Sequence, residues 1–392
     1  MTHGPRRPGT GDRYPHDAGL DPRVPLSILG SIDRVLRDSA VFGLVVDAPG
    51  TVALRHDILA AQGALRRVVV DSEGVVEDVV VPLEHACLSC AVREDALPTI
   101  DRLARDGRWD HVLLALPVTA ESFAVSRALA SATGPGGELP TVRVSTTLAV
   151  IDVETVEDDL LGFDLVRDRG TALTEDDERS VGEALAALLE HVDLVVTTGD
   201  DDAHPTSSGL VDRLRAATSR RLAGLHELSA LDLAASDHDA AAGEARAFPL
   251  GARGAHGLPS SGSRDRSWTL ELTSHLPFHP QRLLDEVERL GTGRLRSRGV
   301  FWVPNRPGSV CMWDGAGGQL SIGEIGPWRD RLPQTRLVFV GATTPDDDPR
   351  DTITEAFGRA LATPAEMLGG DLHRLDPQDA LEPWLGARDD AA

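Results

Sequence analysis

Two cysteines and a histidine fall within the stretch His85-Ala86-Cys87-Leu88-Ser89-Cys90, directly after the apolar run Val79-Val80-Val81 and just before Arg93 and Asp95. Two thiolates separated by two residues, with an imidazole beside them, can converge on a borderline-soft metal ion such as zinc. In that reading Cys87 and Cys90 ligate, His85 is a third donor, and a further ligand comes from elsewhere: the distant Cys311, a carboxylate or a residue of a partner. The same spacing at a helix start also suits thiol–disulfide chemistry, because the helix N-terminus lowers the pKa of the first thiol. The plain alternative is two small apolar side chains packed beside a surface histidine. Spacing alone leaves all three open, since zinc ribbons usually show two such pairs.

The rest of the chain bounds what this segment serves. At 392 residues and 41% hydrophobic content there is enough material for two domains with real cores. A formal charge of −23 repels nucleic acid and anionic membrane alike and favours a basic protein partner. Three cysteines make no disulfide framework, and no run reaches the length of a membrane span. The first residues are polar and loop-forming, with no apolar signal core, so the expectation is a soluble, cytoplasmic protein. There is no lysine anywhere, so all 39 basic residues are arginines. Any mechanism that requires a lysine is thereby removed.

The elements that position the cysteines read as α/β alternation. Strands are expected at 24–29, 41–46, 67–71, 75–81, 111–116, 143–153 and 192–197, with helices at 31–40, 93–106, 121–132 and 175–189. Buried apolar strands alternating with helices predict a doubly wound, mostly parallel sheet. The domain boundaries expected are a disordered tail at 1–22, the α/β domain at 23–233, a flexible Ala/Gly/Ser-rich linker at 234–266, a smaller α+β domain at 267–380 and a frayed tail at 381–392. In the second domain, strands are expected at 268–273, 295–304, 310–315, 319–323 and 336–341, with helices at 280–290 and 350–362.

An apolar strand followed by Ala-Cys-x-x-Cys and then Arg-x-Asp at a helix start resembles the CobW family of P-loop GTPases. That family carries Cys-x-Cys-Cys here, so Cys87 and Cys90 match the outer cysteines and Ser89 replaces the middle one. The second region resembles the family's C-terminal domain through Pro277–Leu283, Gly299-Val300-Phe301-Trp302, Asn305-Arg306-Pro307, Trp313, Ala316-Gly317-Gly318 and Gly326-Pro327-Trp328. The resemblance implies a P-loop NTPase-like first domain, a nucleotide site and a role in metal handling.

A P-loop needs glycines whose backbone amides wrap the phosphates, a lysine, and a Ser/Thr for magnesium. The equivalent loop is Leu29-Gly30-Ser31-Ile32-Asp33-Arg34, with a single glycine, no lysine and an aspartate where phosphate should sit. Gly30, Ser31 and Arg34 are therefore candidates only for a degenerate phosphate site, and Arg34 is no equivalent of a lysine. Leu116-Pro117-Val118-Thr119 lacks the family's Glu/Asp-x-x-Gly, and Thr197-Thr198-Gly199-Asp200 stands in place of Asn-Lys-x-Asp. GTP with magnesium is not expected, and hydrolysis is expected to be lost. Loss of the P-loop together with Cys-x-Ser-Cys resembles the actinobacterial ribosome hibernation factor-recruiting (MRF) subgroup. That likeness implies a zinc-responsive adaptor that brings a hibernation factor to the ribosome when zinc is scarce. The alternatives are a GTP-dependent zinc metallochaperone and a structural interaction protein with no metal.

Three lesser candidates have bland readings. Asp200–Asp202 and Asp346–Asp348 read as solvated acidic loops, His275 and His279 as capping or packing residues, and Trp302, Trp313 and Trp328 as core anchors.

Overall fold

The computed structural model describes residues 21–248, 264–344, 347–369 and 380–386. The first unit runs β1 (Val24–Gly30), α1 (Arg34–Asp47), β2 (Thr51–Leu59), β3 (Ala64–Asp71), β4 (Gly74–Pro82) and α2 (Leu88–Cys90). α2 continues through a π-helical turn (Ala91–Ala96) into α3 (Leu97–Asp106). There follow β5 (His111–Ala115), α4 (Ser122–Thr133), β6 (Val142–Asp152), α5 (Val156–Leu161), α6 (Val181–His191), β7 (Leu194–Thr198), α7 (Pro205–Leu214), β8 (Arg220–Ala223), α8 (Ala230–Ala235) and α9 (Ala240–Ala247).

The strands form one sheet in the order β4-β3-β2-β5-β1-β6-β7-β8. From β2 to β8 every neighbour is parallel, and β3 and β4 extend the edge as an antiparallel hairpin. Helices cover both faces: residues of α3 and α4 pack with Leu26, Ile28 and Leu114, while α1 and α8 pack with Leu29, Leu113 and Val150 on the other side. The mostly parallel, doubly wound sheet expected from the alternation is present.

Two expectations about elements are corrected. Residues 41–46 are helix, not strand. Ala40, Val41, Leu44 and Val45 continue the buried stripe begun by Arg37, whereas Phe42 and Val46 lie off it and are exposed. A β-rich sequence thus follows helical periodicity because its buried face does. β2 went unread because Arg55, His56 and Asp57 interrupt its apolar run. All three are accommodated by ion pairs, with Asp57 held against the fully buried Arg37 at 2.9 Å.

The second unit comprises β9 (Ser267–Ser274), α10 (Pro280–Gly291), β10 (Leu295–Phe301), β11 (Ser309–Ala316), β12 (Gln319–Pro327), β13 (Thr335–Ala342), α11 (Arg350–Ala360), α12 (Pro364–Gly369) and α13 (Glu382–Leu385). Its antiparallel sheet is ordered β12-β11-β10-β13-β9. Phe278, Phe301, Trp313, Phe339 and Phe357 form the core between sheet and helices. Trp313 and Trp328 are buried, as core anchors should be. The glycines belong to the same packing: the Trp268 ring lies over Gly341, and Gly317-Gly318 form the two-residue turn between β11 and β12 with positive φ at both. His279 caps α10, accepting the Arg282 backbone N–H.

The segment read as linker carries structure up to residue 248. Asp239 caps α9, alanines favour the helix, and Arg246 is tied to Asp193 at 2.6 Å. Residues 249–263 of that reading lie outside the described residues, as do most of the N-terminal tail and residues 387–392. The expected fraying after residue 381 does not extend to its start, because Leu381 and Leu385 are buried in the second core.

The two units are joined at α6. The β11–β12 turn sits on its N-terminus, where Ser180 donates to the Ala316 carbonyl while capping α6. Near its other end, Glu190 is buried between Arg296 and Arg298 of β10, at 2.8 Å from each. Burial pushes the Glu190 carboxyl up, but the two guanidiniums outweigh it and hold the group below the usual range.

Candidate functional site

β1, β5 and β2 run the same way, and β4 is antiparallel to β3, which is antiparallel to β2. The turn after β4 and the loop after β1 therefore leave the sheet at the same edge, the end where ligands bind in open α/β sheets. One carries the cysteines and the other the degenerate phosphate loop.

Cys87 is the N-cap of α2. Its sulfur accepts the Cys90 backbone N–H at 3.4 Å and lies 3.2 Å from the Ser89 hydroxyl. Cys90, whose amide makes that bond, is buried behind it. Burial of Cys87 disfavours its thiolate, but the Ser89 hydroxyl and the Cys90 amide and thiol outweigh it, so its pKa falls below the ordinary cysteine value. Cys90 shifts the opposite way, raised first by the neighbouring Cys87 side chain and then by burial. His85 is exposed, with Nδ1 4.0 Å from Cys90 Sγ, and Arg93 reaches the same sulfur at 3.8 Å. The expected set Cys87, Cys90 and His85 thus shares one turn.

Two sulfurs and an imidazole suit zinc. Among the described residues, however, no three His, Cys, Asp or Glu side chains are grouped as a ligand set. Cys311 is not available as the fourth donor, because it is buried among Phe301 and Trp313 in the core of the second unit.

What sequence reading missed is the anchor behind this turn. Asp95 is buried, with Oδ1 2.8 Å from Nε2 of the equally buried His56 and Oδ2 2.5 Å from Arg67. Burial alone would raise the Asp95 pKa, but His56 and Arg67 lower it overall. The helix that begins at Cys87 is thereby pinned to β2 and β3 through the Asp of the Arg-x-Asp pair, the one signal of it in the sequence. The π-helical turn Ala91–Ala96 follows Cys90 directly and carries this anchor, a departure from α-helix often found at functional sites.

The phosphate loop tells a different story. Only Ser31, Ile32 and Asp33 separate β1 from α1. Asp33 caps α1 by accepting the Leu36 N–H at 2.8 Å, using the helix terminus that a phosphate would need and placing a carboxylate there. Ser31 donates to the Val150 carbonyl and accepts the Asp33 N–H, so its hydroxyl is committed. A side chain at Gly30 would strike Leu188 at 2.6 Å, so this glycine serves helix packing. Arg34 is exposed and leans toward Asp57 at 3.8 Å. The loop is also tied shut against the neighbouring one: Leu116 donates to Leu29 and Thr119 to Ser31, at 2.9 and 3.0 Å. Thr119 keeps φ at +67°, a left-handed conformation that a β-branched residue rarely adopts. These residues do not fit the phosphates of a nucleotide. At the third position Asp200 accepts the N–H groups of Asp202 and Ala203 and so closes its own turn.

An open α/β sheet with a cysteine turn and a self-capped first loop, followed by an antiparallel α+β unit, defines a two-domain NTPase-like class. Residues 45–221 match the CobW/HypB/UreG nucleotide-binding domain and residues 267–361 the C-terminal domain of the cobalamin synthesis protein CobW. The chain belongs to the CobW family. It is 27% identical over 329 residues to the zinc chaperone Rv0106 of Mycobacterium tuberculosis, covering 81% of this chain and 77% of that protein. It is 23% identical to the zinc-regulated GTPase metalloprotein activator 1 of Dictyostelium discoideum, covering 76% of this chain and 70% of that one. Among solved structures it is similar to the Zn(II)-bound YjiA GTPase of E. coli, with 12% identity, a TM-score of 0.35, and coverage of 87% and 99%. No helix among the described residues is long and apolar enough to cross a membrane.

Proposed function

We propose that this protein is a cytosolic, zinc-responsive member of its family that works as an adaptor and has given up GTP hydrolysis. The observation that carries the proposal is the contrast between the two loops at one sheet edge: the cysteine turn keeps two adjacent thiols, while the phosphate loop is capped by its own aspartate. The zinc in the names of both relatives supports the metal half. Cys87 and Cys90 would hold the ion with His85, and zinc would supply a cross-link that rigidifies the turn in front of the Asp95 anchor. With an incomplete ligand set the site suits sensing better than storage. The partner is a protein, favoured by the −23 charge if it is basic. The resemblance to the ribosome hibernation factor-recruiting subgroup points to a hibernation factor and the ribosome.

Equilibrium dialysis of the reduced protein against zinc tests the metal half, with binding expected for the wild type and lost in Cys87→Ala/Cys90→Ala. Ribosome co-sedimentation from zinc-starved cells tests the adaptor half; unchanged hibernation-factor occupancy in a deletion strain refutes it. The second reading, a GTP-dependent zinc metallochaperone, is favoured by the word GTPase in one relative's name. It requires saturable binding of a fluorescent GTP analogue with magnesium, which the Asp33-capped loop is expected to refuse.

A further inference from the structure

The cysteine pair is also built for a reaction that metal binding does not use. Cys87 is half-buried at the rim of the turn, and Cys90 is buried three residues on, with the Cys87 sulfur already accepting the Cys90 backbone N–H at 3.4 Å. Cys87 is the extended N-cap and Cys90 closes the first turn onto it, so rotation of the two side chains carries the sulfurs toward a disulfide, which needs a Cβ separation of about 3.5–4.5 Å. The third cysteine, Cys311, is sealed in the other core where it cannot compete.

We propose that Cys87 and Cys90 form a reversible disulfide by exchange with a small-molecule disulfide, and that this oxidation disables the zinc site. The second clause rests on the zinc reading above. In the first step the Cys87 thiolate attacks one sulfur of the small disulfide, whose S–S bond breaks and releases one thiolate, leaving a mixed disulfide on Cys87. In the second step Cys90 loses its proton to solvent and its sulfur attacks Cys87 Sγ, releasing the other small thiolate. Two electrons pass from the protein dithiol to the small disulfide, which becomes two thiols. Cys87 is the attacking residue because it is the accessible one, and Cys90 resolves because it faces Cys87 from behind. Neither sulfur then remains an anionic donor for a metal.

The test uses the full-length, metal-free protein equilibrated with mixtures of oxidised and reduced glutathione, quenched by alkylation and read by intact mass and peptide mapping. The expected product has lost two hydrogens, maps to Cys87–Cys90 and reverts with excess reduced thiol. Cys90→Ser should instead accumulate one glutathione on Cys87, and Cys87→Ser should form no internal bond. Glutathione accumulating on Cys90 first, or alkylation of both thiols at every ratio, overturns the proposal. In the zinc arm, the oxidised protein should lose zinc uptake and regain it on reduction. A reduced protein that takes up no zinc sinks the zinc reading while the disulfide stands. A protein that binds zinc equally well with the pair oxidised sinks the coupling, and the disulfide chemistry remains.

Discussion

Replacing Glu190 by alanine should do more damage than any surface change on either domain. Arg296 and Arg298 converge on this one carboxylate from β10, at 2.8 Å each, and all three side chains are largely buried. After the substitution Arg296 still has Asp314, and Arg298 still donates to the carbonyls of Arg246 and Ala247 at the end of α9. The guanidinium of Arg298 nonetheless keeps a buried charge with no counterion among these contacts. Removing one partner from a buried ion pair costs about 3–5 kcal/mol, most of it the penalty for the charge left behind. For domains of this size that is a fall in melting temperature of roughly 6–20 °C. Because Glu190 belongs to one domain and the arginines to the other, the loss falls on their coupling. The assay is thermal and urea unfolding followed by far-UV circular dichroism and by tryptophan fluorescence, which reports mainly the second domain. The wild type should unfold in coincident transitions, and Glu190→Ala should separate them and lower the first. Glu190→Leu combined with Arg298→Met should recover part of the loss, since an apolar pair replaces a charged one of similar volume. Coincident transitions with a shift below about 1 kcal/mol in Glu190→Ala would show that the pair carries little of the interface.

Burial, with Arg143 nearby, holds the His111 pKa down to about 4, and burial, with Arg246 and His238 nearby, does the same for His191. The unfolded chain takes up these protons near pH 6.5 and the folded one only near 4, so stability is full above pH 6.5 and falls as the pH drops through that window; each histidine accounts for about 2 kcal/mol between pH 7 and 5. Unfolding midpoints at the two pH values should differ less in His111→Gln than in the wild type, and an unchanged difference would refute the assignment. Thr119 holds a left-handed conformation while donating to the Thr171 carbonyl at 2.7 Å. Thr119→Gly should therefore be more stable than Thr119→Ala by about 1 kcal/mol, because both lose the hydrogen bond and only glycine relieves the backbone; urea denaturation of the two variants side by side decides it.

The parallel sheet was legible because its strands are short apolar runs, and the second domain because its tryptophans and glycines pack on one another. What escaped reading was polarity in buried places. β2 carries Arg55, His56 and Asp57 within the sheet, where they pair with Asp38, Asp95 and Arg37 of other elements. α9 looked like linker because alanine, glycine and aspartate are also loop residues, and the contacts that order it, Arg246 with Asp193 and Arg298 with its last carbonyls, are tertiary. At the site, Cys87, Cys90 and His85 were legible from spacing, and the missing lysine announced an altered phosphate loop. That Asp33 caps the helix and Gly30 is needed by Leu188 could be known only with the helices in place.

Cobalt(II) titration of the reduced protein reports whether Cys87 and Cys90 ligate a metal, because thiolate ligation gives charge-transfer absorption that carboxylate or imidazole ligation does not. These bands should rise to one equivalent, be displaced by zinc, and vanish in Cys87→Ser/Cys90→Ser while the fold persists by circular dichroism. Absence of thiolate bands in the wild type, or their survival in the double variant, would contradict ligation by this pair.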